Sequence, residues 1–168
     1  TRHFKSLPTI RITMKNSKST DIKVTSASVF FLPVTMRVPL KFGPETVTNT
    51  VCLRVKVGVE DRQGRHAEGW GETPLSVSWV WPSTLSVAER AARMDSFSIL
   101  LAQRLVASGL SGHPMEIGHD FIHGPLARTL AEANAEAGGP EMPYLGSLVA
   151  FSAFDIAVHD AFGNLLGV

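Results

Sequence analysis

Cys52 is the only cysteine in the chain, which rules out an intrachain disulfide and any metal site built wholly of thiolates. Net charge is nearly absent too. Sixteen Lys and Arg against fifteen Asp and Glu leave +1, so no global field selects a polyanionic partner. No apolar run in the sequence reads as a membrane span, and no Asn-x-Ser/Thr acceptor points to secretion. A lone thiol is compatible with a reducing compartment. Together these absences give a cytoplasmic assignment with no nucleic-acid and no membrane partner.

What is present is an ordinary globular mixture, 44% hydrophobic and 18% charged, in a chain of 168 residues, which suits one core. The charge is unevenly placed. Residues 1–24 hold Arg2, Lys5, Arg11, Lys15, Lys18 and Lys23 against Asp21 alone, and read as a solvated basic arm in which residues 7–14 have the pattern of a short extra strand. Residues 25–168 form the main domain.

In residues 47–60 the odd positions are almost all aliphatic and the even ones mostly polar or small, the period-2 pattern of a half-buried strand. The turn Asp61-Arg62-Gln63-Gly64 follows, with Gly64 free to take a positive φ, and residues 65–72 return as the second arm of a hairpin. Upstream, residues 25–38 read as the first strand, with Val29, Phe31, Val34, Met36 and Val38 as inward groups. Its phase slips near Pro33, where a missing donor predicts an edge strand or a bulge. Glycine and proline mark residues 39–46 as a loop. Residues 73–82 form a second loop that carries Trp79 and Trp81.

From Ser86 the period becomes helical. Ser86-Val87-Ala88-Glu89 is a capping-box pattern, and Val87, Ala91, Met94, Phe97, Leu101 and Leu105 recur on one stripe with Arg90, Arg93 and Arg104 off it. Residues 114–123 and 125–137 read as two short helical pieces broken at Gly124-Pro125 and closed by Gly138-Gly139-Pro140. Ser147 predicts the N-cap of a last helix whose stripe is Phe151, Phe154, Val158, Ala161, Phe162 and Leu165. Strands first and helices second give an α+β fold, a three-stranded antiparallel β-meander followed by a bundle of three to four helices.

Some chemistry-bearing patterns carry little. His119 and His123 stand at i and i+4, a zinc-chelating spacing, but the HExxH glutamate is absent and Gly118 and Gly124 flank what reads as a short, pliable helix. Asp155 and His159 share a helical face with no nucleophile beside them. Gly69-x-Gly71 lies late in a strand, so it is no dinucleotide fingerprint, and its missing side chains suit close backbone packing.

Residues 37–42 (Arg-Val-Pro-Leu-Lys-Phe), 69–74 (Gly-Trp-Gly-Glu-Thr-Pro) and 153–167 (Ala-Phe-Asp-Ile-Ala-Val-His-Asp-Ala-Phe-Gly-Asn-Leu-Leu-Gly), in that order, resemble the N-terminal capping domain of the enolase superfamily, in its mandelate racemase and muconate-lactonising branch. The resemblance covers residues 25–168 and omits the arm. It implies a parent enzyme that abstracts the proton α to a carboxylate, as a racemase, epimerase, cycloisomerase or dehydratase, with Mg2+ and the base in a C-terminal barrel that this chain does not contain. It further implies the barrel of the same parent protein, a small-molecule carboxylate and a homo-oligomer as partners, and no catalytic residue or metal ligand in this chain, which alone is inactive. By this resemblance the loops near 40–48 and 73–83 face the substrate, which singles out Phe42, Glu45, Thr46, Trp79 and Trp81. The plainer reading of both tryptophans is that they seal the sheet against helices or barrel. Two other classes stay open: a stand-alone binding or dimerisation module, and, last, a nucleic-acid-binding domain using the basic arm.

Overall fold

The protein is described from a computed structural model that covers residues 18–43 and 45–168, with the backbone alone at Phe42. Alternation of aliphatic and polar residues builds β1 (Ile22–Phe42), β2 (Glu45–Asp61) and β3 (His66–Pro74). A two-residue β4 (Ser111–Gly112) adds a fourth strand that the sequence pattern did not announce, and the antiparallel order is β3-β2-β1-β4. Ile22 and Val24 belong to the core, so the end of the basic arm enters the sheet.

Leu53, Val55, Val57 and Val59 of β2 point inward and are fully buried. The opposite face keeps its charges in cross-strand pairs, Arg54 with Glu72 at 2.7 Å and Lys56 with Glu68 at 2.9 Å. The β2–β3 turn is held by Asp61: its Oδ1 accepts the amides of Gln63 and Arg65, each at 2.9 Å, while Gly64 takes φ +77°.

The distal end of β1 departs from expectation. Residues 39–46 are not an extended loop, because β1 runs to Phe42 and β2 starts at Glu45 after a tight reversal in which Gly43 has φ +56°. Val34 and Val38 are 41% and 73% exposed instead of inward. Register slips occur between Val24 and Ser26 and between Thr35 and Leu40, while Pro33 stays paired with Val51. Of the two alternatives at Pro33, edge or bulge, the edge is realised: β4 pairs only with Ile22 and Lys23, so Pro33 withholds its donor from no neighbour.

Helices cover one face. After α1 (Val77–Val80), α2 (Val87–Ala107) begins at a formed capping box, in which Ser86 Oγ accepts the Glu89 amide at 3.2 Å and Glu89 Oε2 accepts the Ser86 amide at 2.9 Å. Its buried stripe is Arg90, Met94, Phe97, Leu101 and Leu105; Val87 is 49% exposed, so the stripe is rotated from the expected one. The expected break at Gly124-Pro125 is absent. α3 (Pro114–Phe121) passes through a π turn (Ile122–Leu126) directly into α4 (Ala127–Ala137). Pro125 has no amide to donate and its ring crowds the preceding turn, and widening the turn accommodates both without ending the helix.

α5 (Tyr144–Leu166) starts earlier than Ser147 suggested. Pro143 holds the extended N-cap conformation, and Ser147 is buried with its hydroxyl donating to the Tyr144 carbonyl at 2.7 Å. By length and composition α5 is apolar enough to cross a membrane, which the sequence reading overlooked, yet half of its most apolar window is buried within this fold. It lies directly on β3 at Gly69 and Gly71, where an added Cβ would fall on the backbone of Ala161 and Ala153. Asp160 Oδ2 accepts the Trp70 amide at 2.8 Å, and Asn164 Nδ2 donates to the Glu68 carbonyl at 2.9 Å, so the helix satisfies groups on the outer strand.

Candidate functional site

Two sequence-distant segments meet at the end of the sheet where β2 begins. One is the β1–β2 reversal, whose last strand residue pair is Phe42 with Glu45. The other is residues 75–81, folded around the single turn of α1. Between them stands Arg90 of α2, only 1% exposed. Its guanidinium donates to the carbonyl of Trp81, the C-cap of α1, at 2.7 Å and to the carbonyl of Val77 at 3.3 Å, which also accepts the Trp81 amide at 3.0 Å. Both of those bonds come from Nη1, and Nη2 reaches Glu45 Oε1 at 2.5 Å. A buried guanidinium needs this planar set of acceptors around it, and it fixes the relative position of both segments. The Ser78 hydroxyl, followed by Arg90, holds the Glu45 carboxyl below its ordinary value.

Beside this junction is a cavity of about 430 Å3, walled by Glu45, Thr46, Thr50, Ser76, Ser78 and Asp95 among others. Burial raises the Asp95 carboxyl above its ordinary value, and no opposing group offsets it. Asp95 Oδ1 and Thr50 Oγ1 are buried without a protein hydrogen-bond partner. Val47, Val51, Leu75, Val77, Val87 and Ala91 make most of the wall apolar, and these few polar groups are set into it.

The five residues singled out from sequence have different fates. Glu45 and Thr46 share the cavity wall. Trp79 projects from α1 and is 53% exposed, available to anything that docks on this edge. Trp81 is 2% exposed and belongs to the core, which is the sealing role. Phe42 lies at the end of β1, and its side chain is outside the described part of the structure. Arg90, Ser78 and Asp95 were missed. For Arg90 the signal was present: positions 90, 94, 97, 101 and 105 keep helical spacing, and a basic residue on that stripe has to be buried with acceptors. Ser78 and Asp95 carried no comparable signal, because only the packing of α1 on α2 brings them to the β2 end.

Among the described residues no group of three or more His, Cys, Asp or Glu side chains is placed to hold a metal ion.

No family model matches the sequence, and none of the curated proteins matches it. Solved structures do align with this chain. The L-Ala-D/L-Glu epimerase of Bacillus subtilis aligns over 86% of this chain and 32% of its own, at 18% identity and a TM-score of 0.46. A dipeptide epimerase from Enterococcus faecalis, solved with Mg and a dipeptide, aligns over 84% of this chain and 31% of its own, at 18% identity and TM-score 0.48. The L-talarate/galactarate dehydratase of Salmonella typhimurium aligns over 99% of this chain and 35% of its own, at 14% identity and TM-score 0.47. The chain thus spans about a third of the length of each.

Proposed function

We propose that this chain is the capping and substrate-recognition part of a metal-dependent enzyme that removes the proton α to a carboxylate. The observation that carries the reading is the junction at Arg90, where one buried side chain locks the reversal at Glu45 to the Val77–Trp81 turn. A lid that closes on a substrate needs two segments that move as one body. A rigid double edge with an exposed tryptophan and a largely apolar cavity that carries a few polar groups meets that need, and it coincides with the segments singled out by the capping-domain resemblance. Trp79 supplies an aromatic wall, and Glu45, Thr46 and Ser78 supply polar contacts. Closure of this edge over a mouth would exclude water and strengthen the electrostatics that stabilise the developing enediolate.

On this reading the Mg2+ ion and the proton-abstracting base belong to a barrel domain of the same parent protein, and the chain alone is inactive. The test is a substrate screen on the protein carrying this chain together with its barrel. Trp79→Ala and Glu45→Gln are expected to change the ratio of kcat/KM between two carboxylate substrates while the far-UV circular dichroism stays unchanged. Unaltered ratios in both variants would overturn the recognition role.

A second reading is a stand-alone binding or dimerisation module. It is favoured by the apolar groups left open along β1, with Val38 73% and Leu40 47% exposed. Under that reading the chain self-associates in light scattering, and Val38→Ser with Leu40→Ser returns it to a monomer. A wild-type monomer at all concentrations would exclude it.

A further inference from the structure

The histidine pair that seemed weak in the sequence is better founded in the fold. From Pro114 to Ala137 the backbone is helical without interruption, so His119 and His123 sit on a continuous helix and not on a pliable fragment. Their rings stack with centroids 4.2 Å apart and planes 27° from parallel. Each ring has its Nδ1 against an oxygen. His123 Nδ1 lies 2.8 Å from the His119 carbonyl, and His119 Nδ1 lies 3.2 Å from Asp120 Oδ1. A carbonyl or carboxylate oxygen can only accept, so these contacts place a proton on each Nδ1, and in the neutral imidazole Nε2 is then the nitrogen with the lone pair. This is the arrangement by which outer oxygen partners prepare metal-binding histidines. The π turn between Ile122 and Leu126 places His123 at a local widening, a feature that recurs at functional positions in helices.

We propose that His119 and His123 form a two-imidazole site for a borderline transition-metal ion of the zinc, nickel or copper(II) class, independent of the capping role and unsuited to Mg2+. Two neutral nitrogen donors select that class over hard cations, which take oxygen. Metal–nitrogen distances of about 2.0–2.1 Å allow one ion to bridge donors up to roughly 4 Å apart. Binding one ion requires the stacked rings to splay about their side-chain torsions so that their in-plane lone pairs converge, and the exposure of His119, at 67% of its side-chain surface, leaves room for that movement. Solvent completes the coordination.

The test is calorimetric titration of the untagged protein with Ni2+. One saturable site per chain is expected, lost in both His119→Ala and His123→Gln and retained in His66→Ala. Titration without saturation, or a site that survives both substitutions, would overturn the proposal. Because either substitution can disturb the helix, the unmutated protein supplies a second readout. Traces of Cu2+ should broaden the imidazole proton resonances of His119 and His123 before those of His66 and His159, and uniform broadening of all four would count equally against the site.

Discussion

Trp79 and Trp81, two positions apart at α1, stand in opposite environments: the first is 53% exposed and the second 2%. Two positions, little more than half a helical turn, separate a residue that faces outward from one that closes the core. Trp81→Ala should lower stability by about 3–5 kcal/mol, the cost of emptying a buried aromatic site. Trp79→Ala should stay within about 0.5 kcal/mol of wild type. Denaturant unfolding of the two variants checks the pair, and comparable losses for both would contradict the orientation of α1.

Truncation of Arg90 to alanine is expected to cost roughly 3 kcal/mol, because it strands the Trp81 carbonyl, takes the second donor from the Val77 carbonyl and removes the buried partner of Glu45. Glu45→Gln should cost less, since the amide still accepts from the guanidinium. Amide hydrogen exchange in residues 77–81 is the sharper readout. Protection there should fall in the Arg90 variant before it falls in β2.

Gly71→Ala should be among the most damaging single substitutions outside the hydrophobic stripe. The new methyl would fall on the Ala153 carbonyl and press against the Ala157 amide and Ile156, so α5 has to lift from β3. A loss of at least about 3 kcal/mol follows if the helix cannot shift. Gly64→Ala tests a different cost, as open space surrounds that residue and only its φ of +77° is strained. About 1 kcal/mol is expected there. Equal effects at the two glycines in thermal unfolding would refute the close helix–sheet contact.

Asp95 gives a pH signature. Its carboxyl is raised by burial, so over the window between its unfolded and folded pKa the native state holds a proton that the unfolded chain has released. Stability therefore falls as pH rises through that window and stays lower above it. Asp95→Asn should remove this loss and stabilise the protein by roughly 1 kcal/mol near neutrality, with no gain below the unfolded carboxylate range. Unfolding midpoints measured against pH for both proteins decide it. A variant that is less stable at neutral pH would mean that the charged form has a partner.

The order of strands, the β2 phase, the Asp61–Gly64 turn, the Ser86 capping box and the Gly138 stop were all readable, because each depends on residues within a few positions of one another. The candidate edge was half readable. Glu45 and Thr46 came from the family resemblance and do share the cavity wall, but Trp81 turned inward. Pro125 was read as a stop because a proline normally ends a helix, whereas packing on both sides carries the chain through a π turn. Val34 and Val38 alternate as an inward face should, yet the slip between Thr35 and Leu40 and the projection of this end of β1 leave them exposed.

By itself the sequence determined where the backbone would be extended, helical or reversed, since periodicity, capping and glycine freedom act locally. Tertiary structure alone decided which polar groups would be buried and with whom: Arg90 beneath Glu45, and Asp160 on the Trp70 amide. Those pairs join residues 45 and 90 positions apart, and such contacts form only when β2, β3, α2 and α5 have packed. A buried charge selects its partners from whatever that packing brings within hydrogen-bond reach, and no short-range pattern encodes it.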